Sequence, residues 1–212
     1  MPIAKGSAYG VPGAPLPEDG VVVASDDEAR AVLEEARLAG NPYPPLGLLG
    51  GDLCRTLGGG RGGVRGQPGE GRLRSRDAVM FPVDLGQVLV DGRLHLFVAH
   101  CVARSPLWRR AIVAMNAQWW RGSWNLGPRA HPNDGLIDVF ESHGLSLSDR
   151  WKVRRRVPSG THLPHPGIRE RRSQAVQVEL ERPLSVWLDG EVADRGRQLS
   201  IRVEPDALVV VV

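Results

Sequence analysis

The chain has only two cysteines in 212 residues, Cys54 and Cys101, and they stand far apart. That spacing supports neither a zinc knuckle nor a disulfide framework. No apolar run reaches about 18 residues, so no transmembrane helix is expected. The opening "MPIAKGSAYGVPGAPLP" lacks the apolar middle of a signal peptide. Charge of one sign is also scarce, with 27 Lys and Arg against 24 Asp and Glu and a net +3. A whole-chain nucleic-acid binder is disfavoured by that balance and by the lack of a recognition motif. A cytoplasmic protein with no nucleic-acid partner is the expectation. What is present is ordinary for a soluble chain, 42% hydrophobic and 24% charged, enough for one domain or two small ones.

Residues 1–20 carry several Pro and Gly without periodicity and read as a coil or arm. "VVVASDDEARAVLEEARLAG", residues 21–40, then reads as a buried strand entering a helix. Ser25 or Asp26 supplies the N-cap, and Asp27 and Glu28 suit the helix dipole. Ala29, Val32, Leu33 and Ala36 share one face, and Gly40 signals the end. "YPPLGLLGG" follows as a second strand and "DLCRTLGG" as a short helix, giving the β-α-β-α order of a parallel sheet. Residues 58–76 are rich in Gly and Arg and read as a mobile linker. From Ala78 on, "VMFPVDLGQVLV", "RLHLFVAHCVA", "RRAIVAMNAQW", "GLIDVFE", "QAVQVELE", "PLSVWLDGE", "LSIRV" and "ALVVVV" read as short strands with turns such as Asp91-Gly92. One helix, "SLSDRWKVRRRV", interrupts them. The predicted fold class is therefore α/β plus all-β, a parallel α/β unit over 1–76 followed by a larger antiparallel β-sandwich over 77–212.

"MNAQWWRGSWNLGPRAHPNDGLIDV" and "PSGTHLPHPGIRERRSQAVQVELERPLSVWLDGE" resemble, in order and spacing, segments of diacylglycerol kinase and sphingosine kinase-type lipid kinases. "FPVDLGQVLVDGRLHLFVAH" and "IRVEPDALVVVV" resemble the flanking strands, so the likeness covers roughly residues 78–212. "LGLLGGDLCRTLG" is similar to the family's Gly-Thr-x-Asn-Asp-Phe-Ala-Arg-x-Leu-Gly segment. Asp52, Arg55, Leu57 and Gly58 match it, whereas Leu49 and Gly51 stand where Thr and Asn belong. "VVVASDDEA" falls on the strand that ends in Gly-Gly-Asp-Gly-Thr, with Asp27 as the surviving acid. The resemblance thus implies a Rossmann-like nucleotide domain truncated at its N-terminus, since its first strand and helix find no room in residues 1–20.

Such kinases move a γ-phosphoryl group to a lipid hydroxyl with the help of magnesium and a proton acceptor. Glycines at a phosphate turn let backbone N–H groups approach the anion. Here Ser25, Asp26 and Glu28 add side chains and negative charge instead, which makes ATP doubtful as a ligand. The resemblance implies Asp189 as candidate general base with Glu191 beside it, in a stretch that also reads as an Asp-Gly hairpin. It implies Asp27, Asp52 and Arg55 as nucleotide-binding residues. It implies a magnesium ion held by the Asp134 carboxylate and carbonyls near His131 and Leu136, where a capped turn is the alternative. Asp84 reads as bonding a backbone amide. His162 and His165 read as a structured loop, with Pro164 precluding a helical ligand pair.

Trp119, Trp120 and Trp124 read either as core between sheets or as a lipid-facing surface. Lys152, Arg154, Arg155 and Arg156 read either as a solvated helix or as a contact for an anionic membrane or phosphorylated head group, with residues 169–173 adding basic charge. Three functional expectations follow from the resemblance. The favoured one is a degenerate family member with weak or no ATP-dependent phosphotransfer that binds a lipid or phosphorylated small molecule, or pairs with another chain, including a second copy. An active ATP- and magnesium-dependent lipid kinase and a non-enzymatic structural subunit are the alternatives.

Overall fold

The structure, a computed structural model, describes residues 9–59 and 69–212. Parts of the expected arm (1–8) and of the expected linker (60–68) lie outside the described residues. The N-terminal elements are β1 (Val11–Pro12), β2 (Val21–Val23), α1 (Asp26–Leu38), β3 (Leu46–Leu48), α2 (Gly51–Thr56) and α3 (Gly69–Leu73). α1 begins as its sequence predicts. Ser25 Oγ accepts from Glu28 N at 3.4 Å, and the Glu28 carboxylate reaches back to Ala24 N at 2.7 Å. This is a capping box shifted by one residue, with Asp26, Asp27 and Glu28 in the first turn against the dipole. The helix buries Ala29 and Leu33, and Gly40 follows at φ +70°.

Two expectations change here. The arm contains β1, which pairs with the next long strand, and Leu16 is buried. The linker contains α3, which buries Leu73 against Leu16, Ala78 and Val211. Single apolar residues in a Gly/Arg-rich background leave no period to read.

The remaining elements are β4 (Val79–Val90), β5 (Arg93–Phe97), β6 (His100–Arg104), β7 (Arg110–Met115), β8 (Trp119–Trp120), β9 (Trp124–Asn125), β10 (Ile137–His143), α4 (Leu147–Arg156), β11 (Ile168–Ser173), β12 (Ala175–Leu188) and β13 (Glu191–Val211). Strand order is β1-β4-β13-β12-β6-β7-β10-β11, antiparallel throughout, with β5 on β4 and a separate β8-β9 hairpin. This mostly antiparallel architecture is consistent with a β-sandwich. β2 and β3 pair in parallel, and β3 is parallel to the end of β13, with Leu46 opposite Val210. The sheet therefore runs across the boundary expected at residue 76.

β4 has the bounds its apolar run predicts. β12 and β13 each join two predicted strands, with register shifts between Glu179 and Leu184 and between Glu204 and Leu208. Pro183 and Pro205 lie at these interruptions, where a missing N–H cannot serve the ladder. β11 was not predicted as a strand. It is a polar edge strand, and its row of charges gives no apolar alternation.

Alternation sorts the central strands onto two cores. Cys101, Ala103, Ile112, Ala114 and Val139 face one with Val186 and Ile201. Val102, Ala111, Val113, Met115 and Phe140 face the other with Trp120, Leu126 and Val157. That second face is covered by α4 and the tryptophan hairpin. Among the described residues no helix is long and apolar enough to cross a membrane.

Candidate functional site

Three buried carboxylates meet where β2, β3 and their helices join the antiparallel strands, and each clamps backbone N–H groups of a different segment. Asp26 opens α1 and is 6% exposed. Its Oδ2 accepts from Asp52 N at 2.5 Å and its Oδ1 from Leu53 N at 3.2 Å. These amides open α2, whose N-cap position is Gly50 with no side chain to offer, so Asp26 caps the helix from outside. A Cβ on Gly51, which sits at φ +97°, would lie 2.4 Å from Asp26 Oδ1, so the approach requires glycine.

Asp52 in turn accepts from Arg121 N at 2.7 Å and Gly122 N at 2.6 Å, fixing the turn between β8 and β9. Its Oδ2 also lies 3.1 Å from His100 Nε2. Asp189 and Gly190 form the β12–β13 turn at φ +51° and +98°, the paired positive values of a type I′ hairpin. The Asp189 side chain points inward. Oδ2 accepts from Val98 N at 2.9 Å, and Oδ1 from Ala99 N at 2.9 Å and His100 N at 3.0 Å. It thereby holds the corner between β5 and β6.

Burial and the Asp189 charge push Asp26 up from an ordinary 3.8 to about 7. Burial likewise raises Asp189, against the opposing pull of His100 and the three amides. Asp52 moves down: the His100 bond and the Gly122 and Arg121 amides outweigh its burial. His100 is raised because the Asp52 bond and the Asp189 charge outweigh burial. Arg30 Nε, 3.9 Å from Asp189 Oδ2, brings a further positive charge. Ligand atoms of Asp26, Asp52 and His100 lie within 4.8 Å of one another. Every oxygen of the two carboxylates already accepts a backbone N–H, so the group is a hydrogen-bonded knot rather than an open cation cage.

The structure thus brings together Asp52 and Asp189 of the predicted site residues. Asp27 is half-buried and outside the knot, and its neighbour Asp26 takes the interior position. Arg55 sits on α2 with its guanidinium 4.1 Å over the Trp119 ring. Glu191 is exposed, across the hairpin from Leu188. His100 was missed. The available signal was one imidazole inside the apolar run "LFVAHCVA".

At the loop expected to hold magnesium, Asp134 Oδ1 accepts from Leu136 N at 3.0 Å and Oδ2 pairs with the Arg172 guanidinium. Arg172 stands opposite Asp138 across β10 and β11, with Nε 3.7 Å from Asp138 Oδ2. Burial lifts Asp138 to about 6 even with Arg172 pulling down. His131 Nδ1 accepts from Asn133 N at 3.2 Å. With a guanidinium on the carboxylate, this donor set does not fit a magnesium ion. Asp84 accepts from Gly135 N at 2.7 Å and Asp206 N at 2.9 Å, the amide-bonding role its sequence suggests.

A cavity of about 350 Å³ opens on the outer face of β7 and β10, beneath α4. Val113, Phe140, Leu126, Val157 and Ile168 form apolar walls. Leu107, Leu147 and Trp151 also line it although they are 73%, 73% and 59% exposed, so they mark its outer edge together with Arg150 and Arg154. Trp120 packs edge-on against both Trp108 and Trp124, with ring centroids 5.3 Å apart in each pair. The tryptophans therefore build the second core and, through Trp108, Trp124 and Trp151, the cavity wall.

The family model described as the YegS C-terminal NAD kinase beta sandwich-like domain matches residues 85–212. The chain belongs to this family. The match bears out the likeness to diacylglycerol kinase-type lipid kinases read from the β part. Among solved structures, two of a candidate diacylglycerol kinase from Bacillus anthracis str. Sterne superpose with TM-scores of 0.66 and 0.63 at 15% identity, each covering 91% of this chain and 77% of that one. A third, named as a diacylglycerol kinase from the same strain, gives 0.61 at 15% identity over 91% and 75%. At this identity the likeness is one of fold. No curated protein matches the sequence. Among the described residues of this YegS-type family member, the knot gathers buried titratable groups and the cavity offers an apolar space.

Proposed function

We propose that the chain is a lipid-binding member of the diacylglycerol kinase family with weak or no ATP-dependent phosphotransfer. The observation that carries this is the apolar cavity under α4 with arginines at its edge. Its volume suits a small-molecule ligand, and each methylene it buries contributes about 0.8 kcal/mol before the costs of binding. The loss of phosphotransfer is supported by the knot. Asp189 is fully buried with three backbone amides on its oxygens, which leaves it poorly placed to take a proton from a substrate hydroxyl. Asp26 is engaged in capping α2. We read β2, α1, β3 and α2 as a reduced Rossmann-like unit whose phosphate turn now serves as a helix cap.

Peripheral contact with an anionic membrane belongs to the same reading. Leu107, Leu147 and Trp151 protrude beside Arg150, Arg154 and Arg155, with Arg155 stacked 4.6 Å over the Trp151 ring. Such a mixture favours an apolar–water boundary carrying negative charge.

The test is a titration with dioctanoylglycerol followed by tryptophan fluorescence, beside a thermal shift with ATP and magnesium. Saturable binding that is lost when Val113→Trp fills the cavity, with no nucleotide shift, is the expected result. Stabilisation by ATP together with phosphorylation of the lipid would establish the active-kinase alternative. No response to either would leave the structural subunit.

A further inference from the structure

One side of α2 grips the tryptophan hairpin at its tip, its middle and its base. Asp52, Arg55 and Thr56 share that side, since positions three and four apart are neighbours on a helix. Asp52 takes the amides of Arg121 and Gly122 at the tip, and Thr56 Oγ1 accepts from Gln118 N at the base at 3.1 Å. Between them the Arg55 guanidinium lies over the Trp119 ring. The tip needs such a hold, because Arg121 sits at φ +50°, a left-handed value that costs a residue with a side chain. Two strands of 2 residues each do not sustain a hairpin by themselves. The opposite face of the hairpin carries Trp120 and its cross-strand partner Trp124. Trp124 and Leu126 line the cavity beneath α4, and Trp120 packs edge-on against Trp124. One face of a thin ribbon is thus fixed by the α/β unit, and the other is a wall of the cavity.

We infer that Asp52 is a positioning residue for the cavity, acting through the hairpin, with Thr56 and Arg55 in support. The α/β unit is then part of the ligand site although none of its described residues lines the cavity. A hairpin freed at its tip spends part of its time out of place, and the apparent affinity falls with the fraction that stays in place. The linkage is reciprocal, so a ligand in the cavity holds the hairpin and protects the amides at its tip. This gives Asp52 and Arg55 a role that needs no nucleotide. The inference rests on the cavity being a ligand site and adds what sets its wall.

The test is a dioctanoylglycerol titration of the full chain by tryptophan fluorescence, beside amide hydrogen exchange read at Arg121 and Gly122. Asp52→Asn keeps the side chain's size but turns an NH2 towards one of the two amides. Its affinity for the probe should fall about tenfold, the effect of losing one hydrogen bond to a charged acceptor. Exchange at both amides should quicken without the probe and slow again when the probe saturates. Thr56→Val, which keeps the fold testable if Asp52→Asn does not fold, should lose about threefold in affinity. Ile201→Val lowers stability in the opposite core, away from the hairpin, and should leave affinity unchanged. The positioning role is overturned by unchanged affinity in Asp52→Asn and Thr56→Val, by an equal loss in Ile201→Val, or by tip amides whose exchange ignores the probe. Each of these leaves the cavity a ligand site. Absence of binding to the unaltered chain overturns both.

Discussion

Replacing Asp26 by Asn separates its two roles, as helix cap and as buried charge. The carboxylate is 6% exposed, accepts two α2 amides and faces the charges of Asp189, His100 and Asp52. Its folded-state pKa is about 7 against an ordinary 3.8. Between those values the native state holds a proton that the unfolded chain has released. Its contribution is therefore complete below the unfolded pKa and is lost as pH rises through about 7. The ionised group then costs no more than about 4 kcal/mol, from roughly three pKa units at about 1.4 kcal/mol each. Asn keeps one acceptor for the amides and carries no charge. Urea denaturation should find Asp26→Asn near wild type or up to about 1 kcal/mol weaker at pH 5, for the second hydrogen bond lost. At pH 8 it should be the more stable protein, by about 1–3 kcal/mol. Asp26→Ala, which strips both amides, should be weaker than Asp26→Asn by about 1–3 kcal/mol at both pH values. If Asp26→Asn is instead strongly destabilised at pH 8, α2 depends on the ionised carboxylate and the charge argument is wrong.

Two further substitutions bear on the resemblance to active kinases. Asp189→Asn places an NH2 donor against one of three backbone amides and should lower stability by about 1–3 kcal/mol in a melting experiment; an unchanged melting temperature would mean the side chain is free for chemistry rather than holding the β5–β6 corner. Arg172→Ala removes the cation between Asp134 and Asp138 and should cost about 1–3 kcal/mol, discounted because the arginine is 40% exposed. Wild-type melting should be indifferent to magnesium or EDTA, whereas the variant should regain stability with magnesium; dependence of the wild type on magnesium would refute the guanidinium's role.

The strands were legible wherever apolar residues alternated or ran together, which is why β4 and α4 match their sequence signals closely. Legibility failed at β11, where an edge strand carries charges on both sides, and at β12 and β13, where prolines mimic strand ends inside a continuous ladder. The site was half legible. Asp52 and Asp189 stood in recognisable motifs, but choosing between Asp26 and Asp27 needs the helix phase to better than one residue. Adjacent helical positions point about 100° apart, and only Asp26 faces α2. His100 offered little at all, because a lone polar residue in an apolar run becomes informative only once its partners are known.

The pairing of β13 with β3 also has a temporal side. Leu46 leaves the ribosome long before Val210, its neighbour in the sheet. Until then β3 has β2 on one side and an open edge on the other, exposing the N–H and C=O groups that recruit foreign strands. Closing a loop of that length carries an entropic cost that must be met before the contact forms, and such non-local topologies fold slowly. The nascent chain thus spends most of its synthesis as an unfinished sheet, and its early half is the part a chaperone would have most reason to hold.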